Sequence, residues 1–348
     1  MPDKDKSPLL IDIREDDLLA LSAEVLDTLL RDHTTGQNIF WATHDYEALG
    51  RGYDYHAPIM PELITGQRGM VIRPRVLKTK AEQVDRSKDM AEVFTPSWVC
   101  NAQNNLVDEA WFGRTNVFNT EVDADFKSAS RESGISNPLQ RSCHTWQATT
   151  DRIDFPDGKT WKDYVRATRM EMTCGEAPYL VSRYDATTGE PIPISQRIGL
   201  LDRKLRVVSE NTETSGEWLE WAQTAYKNIY GFEWQGDNLL LAREALLWTF
   251  IEYYQEKFHK APLLKSINHI AYIISWNLWQ MDGLKGVVPD SCRNGVMEKE
   301  LTLFGEQEKL VNCPGCQHDD IRKHNGQYCL IRDWKNDKKK IRFIDLLK

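Results

Sequence analysis

Three acids at the ends of short apolar stretches, one glycine turn and one Cys-x-x-Cys pair are the residues here whose types and spacing could do chemistry. Thr168-Arg-Met-Glu171-Met-Thr-Cys174-Gly175-Glu-Ala-Pro-Tyr-Leu180 reads as a strand end, a tight turn and the start of a new element. Glu171 closes the strand. Gly175 lets a ligand approach bare backbone and tolerates positive φ. Asn228 to Glu233 is a compact apolar strand ending in an acid, and Leu278 to Met281 is another that ends at Asp282. An acid at the carboxyl edge of a parallel sheet can accept hydrogen bonds from ribose hydroxyls. Cys313-Pro-Gly-Cys316 has zinc-knuckle spacing, and Cys292, Cys329, His318 and His324 are available to complete four ligands. Singly, each feature has an ordinary structural reading. An acid after a strand is most often a turn or helix cap, and one Cys-x-x-Cys is most often a turn with free thiols.

For the acids to meet, the elements carrying them must lie in one sheet. From Val165 to Asp282 the order reads strand, turn, helix, strand, helix, helix, strand, an α/β pattern whose parallel strands end at one edge. The spacing predicts one amphipathic helix over 18–30, with Leu18, Leu19, Leu21, Val25, Leu26, Leu29 and Leu30 on one face and Asp16 or Asp17 as its cap. Pro96 and Ser97 open a helix that runs through Asn105 to Ala110. Further helices are expected over 217–227, 238–258 and 266–276, the second largely buried. Val71 to Val76 is a short strand candidate, Lys78 to Met90 an exposed charged stretch, and the basic tail from Trp334 to Arg342 a solvated hairpin. Three regions follow: a helical and irregular one over 1–90, a ligand-binding one over 91–288, and a cysteine-containing extension over 289–348.

Four stretches taken together resemble motifs of the S-adenosylmethionine-dependent, amino-methylating DNA methyltransferases, in particular the methylase (M) subunits of restriction–modification systems. Glu92-Val93-Phe94-Thr95-Pro96 resembles the Phe-Thr-Pro motif that precedes the cofactor fold. Glu171 to Leu180 resembles the acid-Pro-x-x-Gly-x-Gly-x-Phe motif. Tyr230-Gly-Phe-Glu233 and Asn277-Leu-Trp-Gln-Met-Asp282-Gly-Leu284 resemble the next two strand ends. The resemblance implies a Rossmann-like methyltransferase sheet with helices on both faces, preceded by a mainly helical N-terminal region. It implies a cofactor site in which Glu171 pairs with the methionine end of S-adenosylmethionine, wrapped by backbone at Phe94, Thr95, Pro96, Cys174 and Gly175. Glu233 would hold the ribose and Asp282 the adenine amino group, with Phe232 or Trp234 and Leu284 against the ring. Two departures stand out. Ala177 takes the place of the motif's second glycine, with Pro178 after it. The catalytic Asn/Asp-Pro-Pro-aromatic motif, which holds the flipped-out adenine, does not follow Asp282. Asn137-Pro138-Leu139-Gln140 lacks the second proline and the aromatic and reads as a turn. No catalytic residue is therefore assigned in this chain. The expectation is a split enzyme for adenine-N6 methylation of DNA, completed by a second polypeptide carrying that motif. The alternative is a non-catalytic methyltransferase-like scaffold of a restriction system.

Composition agrees with a subunit that docks on a partner. The net charge of −8 lacks the basic surplus of a protein that grips DNA alone. Twelve tryptophans suit cores and subunit interfaces. Seven cysteines, an odd number unevenly spread, argue for reduced thiols or a metal site such as a structural zinc. No apolar run is long enough to span a bilayer, and the first residues lack the apolar core of a signal peptide, so the expected location is the cytoplasm.

Overall fold

The computed structural model describes residues 11–89, 92, 95–122, 146–302, 305–336 and 339–347, with backbone alone at 89, 298–302 and 305–309. The expected 18–30 helix is two helices, α1 (Glu15–Leu21) and α2 (Ala23–Leu30). The break is at Ser22, whose backbone is extended (φ −176°, ψ 137°) and whose hydroxyl accepts from the Glu24 N–H at 3.2 Å. Serine competes for local backbone bonds and favours such caps over helix interiors. The break swings α2 so that Val25, Leu26, Leu29 and Leu30 are buried, while Leu21 is left exposed. Asp16 and Asp17 lie inside the first turn of α1, and Arg14 holds the cap position.

After the short helix α3 (Pro61–Ile64), the stretch Val71 to Val76 forms no strand. Pro74 has no N–H to give a ladder, and it leads into a single 3-10 turn at Arg75–Leu77. The charged stretch is a helix, α4 (Lys80–Asp89), and one of its cations is buried: Arg86 is 3% exposed. Pro96 caps α5 (Ser97–Phe112), which ends at left-handed Gly113. A two-strand antiparallel pair follows, β1 (Asn119–Glu121) with β2 (Trp146–Ala148).

The central unit runs α6 (Trp161–Arg166), β3 (Arg169–Met172), α7 (Leu200–Asn211), α8 (Ser215–Tyr226), β4 (Ile229–Glu233), α9 (Gly236–Phe258), α10 (Leu264–Asn277) and β5 (Leu278–Gln280). The three strands form one parallel sheet in the order β3-β4-β5, with Glu171 opposite Gly231 and Glu233 opposite Gln280. Parallel neighbours need crossover connections, and the helix pairs α7–α8 and α9–α10 supply them. The protein is thus a mixed helix-and-sheet fold around a small parallel sheet. Its main core joins Leu18, Leu26, Trp41 and Ile72 from the N-terminal stretch to Leu239, Leu246 and Phe250 of α9 and to Leu278 of β5. The Gln280 side-chain amide clips Phe40 to the sheet, accepting from its N–H at 3.0 Å and donating to its carbonyl at 2.8 Å.

Beyond β5 come two antiparallel hairpins, β6 (Val296–Thr302) with β7 (Gly305–Val311) and β8 (Leu330–Arg332) with β9 (Lys340–Arg342). The short helix α11 (Pro314–His318) lies between them. Of the solvated hairpin expected over 334–342, only β9 falls in that stretch; its partner β8 begins earlier, at Leu330, with Ile331 buried and Trp334 packed against the core. Among the described residues no helix is long and apolar enough to cross a membrane.

Candidate functional site

The parallel register brings the three strand ends to one edge. Glu171 is buried and its Oε1 accepts from the Tyr179 N–H at 3.4 Å, while Oε2 is buried with no hydrogen-bond partner. Burial pushes this carboxyl well above the usual range, and the nearby Glu233 charge adds to the effect. The turn after β3 is built on left-handed backbone at Thr173 (φ 48°), Gly175 (φ 52°) and Ala177 (φ 62°). Ala177 therefore adopts a conformation that glycine takes freely and alanine resists.

Glu233, at the end of β4, binds the β3 turn directly. Its Oε2 accepts from the Gly175 N–H at 2.8 Å, and its Oε1 accepts from the N–H groups of Trp234 (2.9 Å) and Gln235 (3.3 Å). Burial raises its pKa, against the lowering effect of these three donors. Asp282, after β5, is buried. Its Oδ1 accepts from the N–H groups of Leu284 (3.0 Å) and Lys285 (3.2 Å), and its Oδ2 lies 2.8 Å from Lys285 Nζ. Trp234 is half-buried, with its indole N–H on the Tyr55 hydroxyl at 3.0 Å. Leu284 is exposed. Phe232 is core, packed against Trp279 and Phe343, and is not free to stack on a ligand.

The Thr95-Pro96 stretch reaches the same edge from far upstream. The Cys100 thiol points at the Thr95 carbonyl (3.7 Å), Tyr179 hydrogen-bonds Thr95, and the Asp185 carboxylate accepts from the Ser97 N–H at 2.8 Å. Cys174 is buried under the turn, its N–H donating to the Phe232 carbonyl at 2.9 Å. Phe94 and the Asn137–Gln140 turn lie outside the described residues.

Sequence reasoning missed a charge cluster behind Glu233. Arg86 donates to Glu92 (2.6 Å), Asp45 (2.7 Å) and Gln235 (2.9 Å) and pairs with Asp237 (2.9 Å). Arg75 also pairs with Glu92, at 3.1 Å, and the Tyr46 hydroxyl donates to Asp237 at 2.8 Å. Burial alone would raise Asp237, but Arg86 and Lys78 outweigh it and hold its carboxyl below the usual range. Glu92 lies six residues beyond Arg86, but Asp45, Gln235 and Asp237 come from stretches far apart in the chain, and no local signal marks them. A buried charge is sustained only by such pairing.

A second candidate lies in the C-terminal extension. Cys292, Cys313, Cys316 and His324 bring their ligand atoms within 4.8 Å of one another, a set that could hold a metal ion. The His324 Nδ1 is 3.5 Å from Cys292 Sγ, 3.4 Å from Cys313 Sγ and 3.6 Å from Cys316 Sγ. Of the residues available from sequence, the fold selects Cys292 and His324 to join the Cys313/Cys316 pair. Cys329 is instead buried in the core beside Phe232 and points its thiol at the Gln280 carbonyl, and His318 is exposed. Compared with protein-family models, curated proteins and solved structures, the chain returned no match.

Proposed function

We propose that this chain is the cofactor-binding subunit of a restriction-system DNA methyltransferase. It has a Rossmann-like cofactor half, and a second polypeptide contributes the adenine-holding motif and the DNA contacts. The observation that carries the reading is convergence. Thr95-Pro96, Glu171 with Gly175, Glu233 and Asp282 come from four separate stretches and meet at the carboxyl edge of three consecutive parallel strands. Ligands of open α/β sheets bind at that edge.

The residues suit S-adenosylmethionine in charge and position. The cofactor supplies an electrophilic methyl group on a sulfonium cation. The buried, partnerless Oε2 of Glu171 is a waiting acceptor for its cationic methionine end. A carboxylate has about four lone-pair sites. Glu233 keeps capacity for a ribose hydroxyl beyond its three backbone donors, and Asp282 keeps capacity for an exocyclic amine. The scaffold alternative draws on a different observation: Glu233 and Asp282 are both buried and already engaged by their own turns.

Calorimetric titration of the full chain with S-adenosylmethionine separates the two. Glu171→Gln is the diagnostic variant, because Glu233→Ala would also strip three backbone donors of their acceptor. Burial raises the pKa of Glu171, and a cation beside it would lower it again. Binding is therefore expected to release protons, seen as a buffer-dependent heat. Affinity is expected to fall roughly tenfold or more in Glu171→Gln. Absence of binding both alone and with the motif-bearing partner would leave the scaffold.

A further inference from the structure

The Cys292, Cys313, Cys316 and His324 cluster has the dimensions of an ion site. A tetrahedral zinc with Zn–S near 2.3 Å and Zn–N near 2.1 Å sets S···N separations of roughly 3.6 Å. The three Sγ–Nδ1 separations are 3.5, 3.4 and 3.6 Å. All three cysteines are free thiols. The chain around them leaves room for nothing larger than glycine at two points. A Cβ on Gly315 would sit 2.5 Å from His324 Nδ1, and one on Gly326 would sit 3.0 Å from Cys292 Sγ. Supporting bonds orient the donors. The Asn325 N–H donates to Cys313 Sγ at 3.2 Å, Asn294 Oδ1 accepts from the Cys313 N–H at 2.7 Å, and the His324 N–H donates to the Tyr328 hydroxyl at 2.8 Å. Such outer contacts are characteristic of metal sites.

We propose that this cluster binds one zinc ion in a closed, four-ligand structural site, and that the ion fastens the loop carrying Asp282. Two chain segments lead from the cluster to that loop, one running back from Cys292 to Val287 and one forward from His324 to Cys329. They are cross-bonded: the Val288 N–H donates to the Gln327 carbonyl at 2.8 Å, and the Cys329 N–H to the Gly286 carbonyl at 3.0 Å. The loop itself closes through the Asp282 N–H on the Val287 carbonyl and the Gly286 N–H on the Asp282 carbonyl, both 2.8 Å. An ion joining Cys292 to His324 therefore clamps the far end of a ladder whose near end is the Asp282 loop. With all four positions filled by protein, no site is left for water or substrate, so the role is structural. This inference stands apart from the cofactor reading, and its readouts are metal content and amide exchange.

The test is metal analysis of the full chain purified without chelator, with cobalt substitution and hydrogen exchange. About one zinc per chain is expected, and a cobalt-loaded sample should show the strong visible bands of tetrahedral thiolate coordination. Cys316→Ser and His324→Ala should each weaken zinc retention roughly tenfold or more, while His318→Ala leaves it unchanged. Chelation should speed exchange of the Val288 and Cys329 amides and leave those in the middle of α9 unaltered. A wild-type chain that carries no zinc and takes up no cobalt would overturn the site, without recourse to any variant. Exchange at Val288 and Cys329 that is the same with and without metal would overturn the fastening.

Discussion

Ala177 shows how a single backbone angle records what the residue type hides. Its φ of 62° and its complete burial place a methyl group in left-handed backbone, directly after a turn that already uses Gly175. That conformation costs an L-residue roughly 1–2 kcal/mol, partly offset here by the buried methyl. Ala177→Gly is accordingly expected to leave stability unchanged or raise it by up to about 1 kcal/mol. Ala177→Val should cost more than about 2 kcal/mol, because a β-branched residue is an outlier in that region. Denaturant unfolding of the two variants measures both. Equal stability for glycine and valine would refute the strain. Glu171, a few residues upstream, is the other residue whose surroundings set it apart, being a buried carboxyl with an unused oxygen.

At the scale of elements, β5 and its turn depend on one close approach. A Cβ on Gly283 would lie 2.5 Å from a ring carbon of Phe232, which is held between Trp279 and Phe343. That ring cannot swing aside without opening the small cluster that also holds Met281, Val288 and Cys329. Gly283→Ala should therefore destabilise by about 1–3 kcal/mol, the usual cost of overpacking. Because the clash lies beside Asp282, faster amide exchange at Lys285 and Gly286 should accompany it. A variant as stable as wild type would mean that the Phe232 ring has room to move.

At the scale of the whole molecule, buried carboxyls on the N-terminal stretch and on α9 shape the pH response. Glu15 of α1 is 2% exposed, and burial pushes its carboxyl up to about 9, with Asp12 and Asp16 adding to the shift. Glu244 of α9 is 1% exposed, neither carboxyl oxygen has a partner, and its pKa is raised by burial and by Glu15. Asp12 is raised by burial to about 6. These groups hold protons in the folded state that the unfolded chain has released above pH 4.5. Stability contributed by them is complete in acid and falls as pH rises towards 9. The slope is about 1.4 kcal/mol per pH unit for each proton retained. Urea unfolding at pH 5, 7 and 9 should show this decline, and the Glu15→Gln, Glu244→Gln double variant should flatten it. Stability that rises from pH 5 to 9 in the wild type would contradict the assignment. Arg243 is a buried group that joins distant segments. Buried without a carboxylate partner, it donates to the carbonyls of Leu29, Arg31, Ser275 and Leu278 and so ties α2 to β5.

The sequence by itself determined the local elements of the central unit: the strand ends at Glu171, Glu233 and Asp282, the helix starting after Pro96, and the long buried α9. Apolar periodicity and turn residues specify such pieces within a few positions of one another. It also marked the Cys313/Cys316 pair. The tertiary structure decided what no local pattern contains. It chose Cys292 and His324 over Cys329 and His318, because Gly315 and Gly326 let two chain segments close on one point while Cys329 packs into the core. It buried Arg86 within a helix that reads as solvated, because Asp45 and Asp237 come from distant stretches, and Glu92 from just beyond the helix, to pair with it. It broke the 18–30 helix at Ser22, where a side-chain cap and the burial of α2 together outweigh continuous helix. The burial of Arg86 and the make-up of the cysteine–histidine cluster rest on groups that meet, desolvate and pair only once the fold has formed.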